Sequence, residues 1–242
     1  MGGEAVGSAA VGSAAVGDVN VGDAGIGAVE DAYGPKPVWR GRLHQYAFFV
    51  TLPAGLFLLS AAHTTAARVA VAIYWATLAG QFAASASYHR LAHTPTSVKW
   101  LRRLDHSMIF CLIAGTYTPI CLLVLPRVWG IPMLVAVWVT ALAGVIMKMI
   151  RVSARGGKSG SWLYVVLGWG AVITLPQLLS SLGLVRALLL CGGGVLYTVG
   201  AVILGRARPN PAPLTFGYHE IWHGFTIAAG ACHFALIAML IR

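Results

Sequence analysis

The chain has 242 residues, 58% of them hydrophobic and only 10% charged, with a net charge of +10 and a mean hydropathy of +0.77. Soluble domains carry about 25% charged residues, so an ordinary soluble globular fold is excluded. Lys and Arg fall singly or in small groups between apolar runs instead of forming one basic stripe, which argues against a nucleic-acid partner and for loops that face anionic lipid headgroups.

Residues 1–34 carry the stretch AVGSAAVGSAAVGDVNVGDAG, built from Val, Gly and small residues. Such glycine-rich sequence cannot bury enough surface to order itself, and a disordered tail is expected here. The tail holds Glu4, Asp18, Asp23, Glu30 and Asp31, five of the seven acidic residues. No short apolar run with a cleavage site opens the chain, so no removable signal peptide is expected. Residues 35–242 are expected to form one membrane domain.

Seven apolar segments follow, at about 43–62, 69–91, 104–125, 128–147, 162–182, 185–205 and 218–241. Each reaches the roughly 20 residues that a helix needs to cross a bilayer. Pro53, Pro119, Pro132 and Pro176 interrupt them, which membrane helices tolerate when neighbours satisfy the freed backbone groups. Cys111, Cys121, Cys191 and Cys232 all sit within apolar segments and form neither a disulfide framework nor a CxxC metal pattern. Alternate loops differ sharply in charge. One side takes Lys36, Arg40, Arg42, Arg90, Lys99, Arg102, Arg103, Lys148, Arg151, Arg155, Lys158, Arg206 and Arg208, and the other only Arg68, Arg127, Arg186 and Arg242. The basic side belongs in the cytoplasm. The expected fold is an all-α bundle of seven transmembrane helices, N-terminus cytoplasmic and C-terminus outside.

Beyond the tail only Asp105 and Glu220 are acidic, and ionisable groups at membrane depth are costly enough to be functional candidates. His89 ends the second segment, Asp105 and His106 begin the third, and His219 and His223 begin the seventh. The parity of crossings puts all of these ends at the cytoplasmic face. His219-Glu220-Ile221-Trp222-His223 matches the H-E-x-x-H of zinc metalloproteases. Residues four apart stand one above the other on a helix, so His219 and His223 can share one ion. His89 would complete a three-imidazole set with water in the fourth position, as in catalytic zinc.

Ser85, one turn before His89, either contacts a ligand or that water, or packs between helices. Asp105 either orients or deprotonates the water, or caps its helix and pairs with Arg102 or Arg103. His106 is turned about 100° from Asp105 and is not expected to face the same centre. His233 lies about 15 Å beyond His223, too far for the same ion, and keeps no assigned role. His44, His63 and His93 are expected to be interfacial or solvated. The stretch IAGTYTP, residues 113–119, has small residues suited to close helix packing.

Three stretches, SASYHR at 85–90, LDHSMIFCLIAGTYTP at 104–119 and HEIWHGFTIAAGACHF at 219–234, resemble the haemolysin III family. That family is the bacterial branch of the progestin and adiponectin receptor superfamily, and the resemblance spans roughly residues 40 to 242. It implies a seven-helix membrane fold with a cytoplasmic N-terminus. The family's S-x3-H motif falls on Ser85 and His89, its helix-three aspartate on Asp105 and its H-x3-H motif on His219 and His223. By this resemblance the three histidines would hold zinc, with Asp105 and Ser85 close to the water on the metal. Eukaryotic members look like lipid-amide hydrolases related to alkaline ceramidases, and the bacterial branch is named for a haemolytic, pore-forming activity. An acidic and amide motif in the first helix of some relatives has no counterpart in RGRLHQYAFF, residues 40–49.

Three functions follow as expectations. The first is a zinc-dependent membrane hydrolase of a lipid amide or ester, with Asp105 as general base. The second is a non-enzymatic cytolysin or channel in which zinc clamps two helices. The third is a zinc protease in which Glu220 would act at the metal, and the three-part family resemblance argues against it.

Overall fold

The computed structural model describes residues 36–151 and 162–241. The tail, residues 1–34, lies outside the described residues, as do residues 152–161, which carry Arg155 and Lys158. The helices are α1 (Arg42–Ala61), α2 (Thr65–Leu91), α3 (Pro95–Leu123), α4 (Arg127–Arg151), α5 (Trp162–Trp169), α6 (Leu175–Arg206) and α7 (Tyr218–Leu240). A 3-10 turn, Gly170–Thr174, joins α5 to α6.

Six helical stretches among the described residues are long and apolar enough to cross a membrane. The segments expected at 162–182 and 185–205 run on from one another as a single stretch, Trp162–Arg206, of 45 residues. Two features break it: the 3-10 turn, and Gly183, whose φ of 71° and ψ of 167° are not helical. The 3-10 turn frees backbone groups that Tyr117 of α3 satisfies. Its hydroxyl donates toward the carbonyls of Leu167 and Gly168 and accepts from the Ala171 amide at 2.6 Å.

Helix α3 starts earlier than its apolar run. Thr94 caps it by accepting from the Ser97 amide at 3.1 Å, and Pro95 supplies a preset φ at the first helical position. The polar stretch 95–103 is therefore helix rather than loop, and Asp105 lies about 15 Å along α3 instead of at its start.

Helices α3 and α7 are central. One core cluster joins Phe110, Ala114 and Tyr117 of α3 to Val137 and Ala141 of α4, Leu178 of α6 and Leu236 of α7. A second joins Leu58 of α1, Val71 and Tyr74 of α2, Leu112 of α3 and Ile237 of α7. The small residues of IAGTYTP lie in the tightest of these contacts: a methyl at Gly115 would collide with the Thr77 hydroxyl of α2. Outward residues such as Val128, Ile150, Ile173 and Leu184 stay exposed, as lipid-facing side chains would. His233 is buried against α6, its Nε2 3.3 Å from the Leu190 carbonyl, where only glycine at 193 leaves room for the ring.

Candidate metal centre

The last turn of α2 and the first turns of α7 bring three imidazoles together. One ring nitrogen from each of His89, His219 and His223 lies within 4.8 Å of the other two, an arrangement that could hold a metal ion. Nε2 of His219 stands 3.1 Å from Nε2 of His89. Tetrahedral nitrogen ligands about 2.0–2.1 Å from a zinc ion are separated by about 3.3 Å, so this pair already has a suitable spacing. The ring planes are turned 54–80° from one another. The donor set therefore fits a metal such as zinc.

Asp105 of α3 is buried in the wall of the cavity that these histidines also line, and it receives side-chain hydrogen bonds from Ser85 and Gln81 of α2, the latter at 3.4 Å. Gln81, Ser85 and His89 recur every four residues and share one face of α2. His106 is adjacent but separately engaged. Its Nδ1 donates to the Arg102 carbonyl at 2.9 Å and lies 3.7 Å from Asp105 Oδ2. It stands outside the three-histidine group.

Glu220 is fully buried with both oxygens engaged. Oε1 accepts from Arg40 Nε at 2.6 Å, and Oε2 accepts from the Gly217 amide at 2.8 Å. It thus caps the N-terminus of α7, where a carboxylate is favoured, and stands outside the three-histidine group.

His44, expected to be interfacial or solvated, is not solvated: it is 3% exposed and stacks on His223 with centroids 3.8 Å apart and planes 11° from parallel. The crossing parity that grouped the other histidines places the start of the first segment at the same end. That signal was available for His44. Gln81 and Arg40 had no comparable motif, since their roles depend on contacts between helices.

A cavity of about 1060 Å³ opens from this cluster. Its polar end is lined by Ser85, His89, Asp105, His219 and His223, and its walls by apolar residues such as Leu112, Ile113, Ile120, Leu178 and Val202. Along α3 it runs from Val98 to Ile120, about 33 Å of helix.

A bundle of long apolar helices with a histidine cluster near one end defines a multi-pass membrane protein with a candidate metal centre. Residues 33–234 match the Haemolysin-III related family, and the chain belongs to it. It is 33% identical over 194 residues to Hemolysin-3 of Bacillus cereus, covering 79% of this chain and 85% of that one. It is 32% identical over 195 residues to the Hemolysin-3 homolog of Bacillus subtilis (strain 168), covering 79% and 87%.

Proposed function

We propose that His89, His219 and His223 hold a zinc ion and that the protein hydrolyses a lipid amide or ester whose chain lies in the cavity. The observation that carries this reading is the meeting of three converging imidazoles, a buried carboxylate and an apolar cavity of about 1060 Å³. Zinc held by three protein nitrogens supplies Lewis acidity toward a carbonyl and brings the pKa of a water to about 7.

The remaining steps belong to this chain. The Asp105 carboxylate takes a proton from the attacking water and returns it to the leaving amine or alkoxide as the C–N or C–O bond breaks. Ser85 and Gln81 orient that carboxylate by donating to it. The apolar walls hold the hydrocarbon and exclude bulk water. Purified protein incubated with extracted membrane lipids should release a fatty acid detectable by mass spectrometry, and the Asp105→Asn variant should not.

Seven crossings, with the N-terminus in the cytoplasm, are part of the same reading. The 45 residues of Trp162–Arg206 would extend about 67 Å as one straight helix, roughly twice the 30 Å hydrocarbon core. Gly183 is the natural point of division. The site would then face the cytoplasm.

The names of the two Bacillus relatives favour a second reading, a non-enzymatic cytolysin in which the metal clamps α2 to α7. Vesicle leakage that survives metal removal, with no lipid product, would support it. The protease reading loses its support, because Glu220 is consumed by Arg40 and Gly217.

A further inference from the structure

Metal-binding histidines usually fix their ring by donating the second ring N–H to an acceptor. With Nε2 of His223 turned to the ion, its second nitrogen does otherwise: Nδ1 is buried and finds no hydrogen-bond partner among the described residues. What its ring does have is a face-to-face neighbour. His44 of α1 lies parallel to it, with 3.8 Å between centroids, and Phe82 of α2 closes on His44 at 5.1 Å and 51°.

His44 is itself pinned. Its Nε2 lies 2.9 Å from Thr226 Oγ1, and that hydroxyl donates to the His223 carbonyl at 2.8 Å. With its proton committed, Thr226 accepts from His44, so His44 carries its proton on Nε2. All three groups are buried, so the ring of His44 has one orientation and the ring of His223 has a wall to rest against.

We propose that His44 is a positioning residue for the metal centre, holding His223 by ring stacking in place of the usual hydrogen bond, with Thr226 as its anchor. The inference rests on the reading that the three histidines hold a metal. It ties α1, which contributes none of the three histidines, to the geometry of the site.

Cobalt titration of the purified full chain in detergent tests it, with the visible absorption band reporting coordination geometry and chelator competition reporting affinity. His44→Ala should bind cobalt about 10–100-fold more weakly and with an altered band. His44→Phe keeps a ring face and should stay within about threefold of wild type, with the wild-type band. Thr226→Val should weaken binding about 3–10-fold. Unchanged affinity and band in His44→Ala would overturn the proposal, as would equal losses in His44→Phe and His44→Ala. If His44→Ala fails to remain monodisperse, His44→Phe and Thr226→Val decide by the same criteria. Wild-type protein that binds no cobalt would overturn the metal reading along with this one; normal wild-type binding with an indifferent His44 overturns this one alone.

Discussion

Arg40 donates through Nε to Glu220 Oε1 at 2.6 Å, joining the segment before α1 to the first turn of α7. Two backbone bonds run alongside: Val38 N–H to the Leu214 carbonyl and Trp39 N–H to the Thr215 carbonyl, each 3.1 Å. The N-terminal end of the described chain is therefore fastened to the loop that leads into the histidine helix. Glu220 sits between His219 and His223 in sequence in order to anchor the helix that carries them, and its carboxylate serves the fold.

Glu220→Gln should therefore lower thermal stability while leaving bound metal intact. Loss of one partner from a buried pair costs about 3–5 kcal/mol, and less here because Arg40 keeps 23% of its side chain exposed; about 1–3 kcal/mol is expected. The melting temperature in detergent and the metal content of the same sample measure the two effects separately. Intact stability with abolished metal-dependent turnover would return the glutamate to a protease-like role.

Single replacements of His89, His219 and His223 by Ala should each reduce tightly bound zinc from about one equivalent to a small fraction of that. The three-nitrogen set loses a ligand in each case, and two nitrogens hold the ion weakly. Elemental analysis of purified protein reads this directly. Stoichiometric zinc in the triple variant would dispose of the site.

How much of this could be read from the sequence follows from what kind of signal each residue leaves. His219 and His223 are legible because helical periodicity sets their relation without reference to any other element. His89 and Asp105 became legible through topology, since the expected crossings put the end of the second apolar segment and the start of the third on one face. Glu220 kept no assigned role because its motif is local, whereas its contact is with Arg40, 180 residues away in the chain. The stack of His44 on His223 is likewise a contact between the first helix and the last, which no periodicity encodes. The early start of α3 was missed for a different reason: its first turns are polar, and Thr94 with Pro95 outweighs the absence of an apolar run.

The contact between Gly115 and Thr77 sets the spacing of α2 and α3, and so the distance from Ser85 and Gln81 to Asp105. Thr77 cannot yield easily, because its hydroxyl bonds to the Ile73 and Tyr74 carbonyls at 3.0 and 2.9 Å. Gly115→Ala should destabilise by about 1–3 kcal/mol through overpacking. Adding Thr77→Ala removes the colliding hydroxyl and should recover part of that loss. Thermal melts of the two single variants and the double variant give the coupling. Simple additivity would mean the helices do not meet at this point.

Asp105 offers the sharpest separation between chemistry and structure. Asn at this position keeps the size and can still accept from Ser85 and Gln81, but it cannot take up a proton at the working pH. Metal content should stay near the wild-type value, because Asp105 is not among the three nitrogens' group. Turnover of a lipid amide or ester should fall by about 10²–10⁴-fold, the usual contribution of a positioned general base. Ser85→Ala removes only an orienting donor, so its loss should be smaller, about tenfold, with the metal again retained. Product release by mass spectrometry, measured beside zinc content, tests both. Undiminished turnover in Asp105→Asn would remove Asp105 from the proton transfer, and zinc lost together with activity would make its role structural.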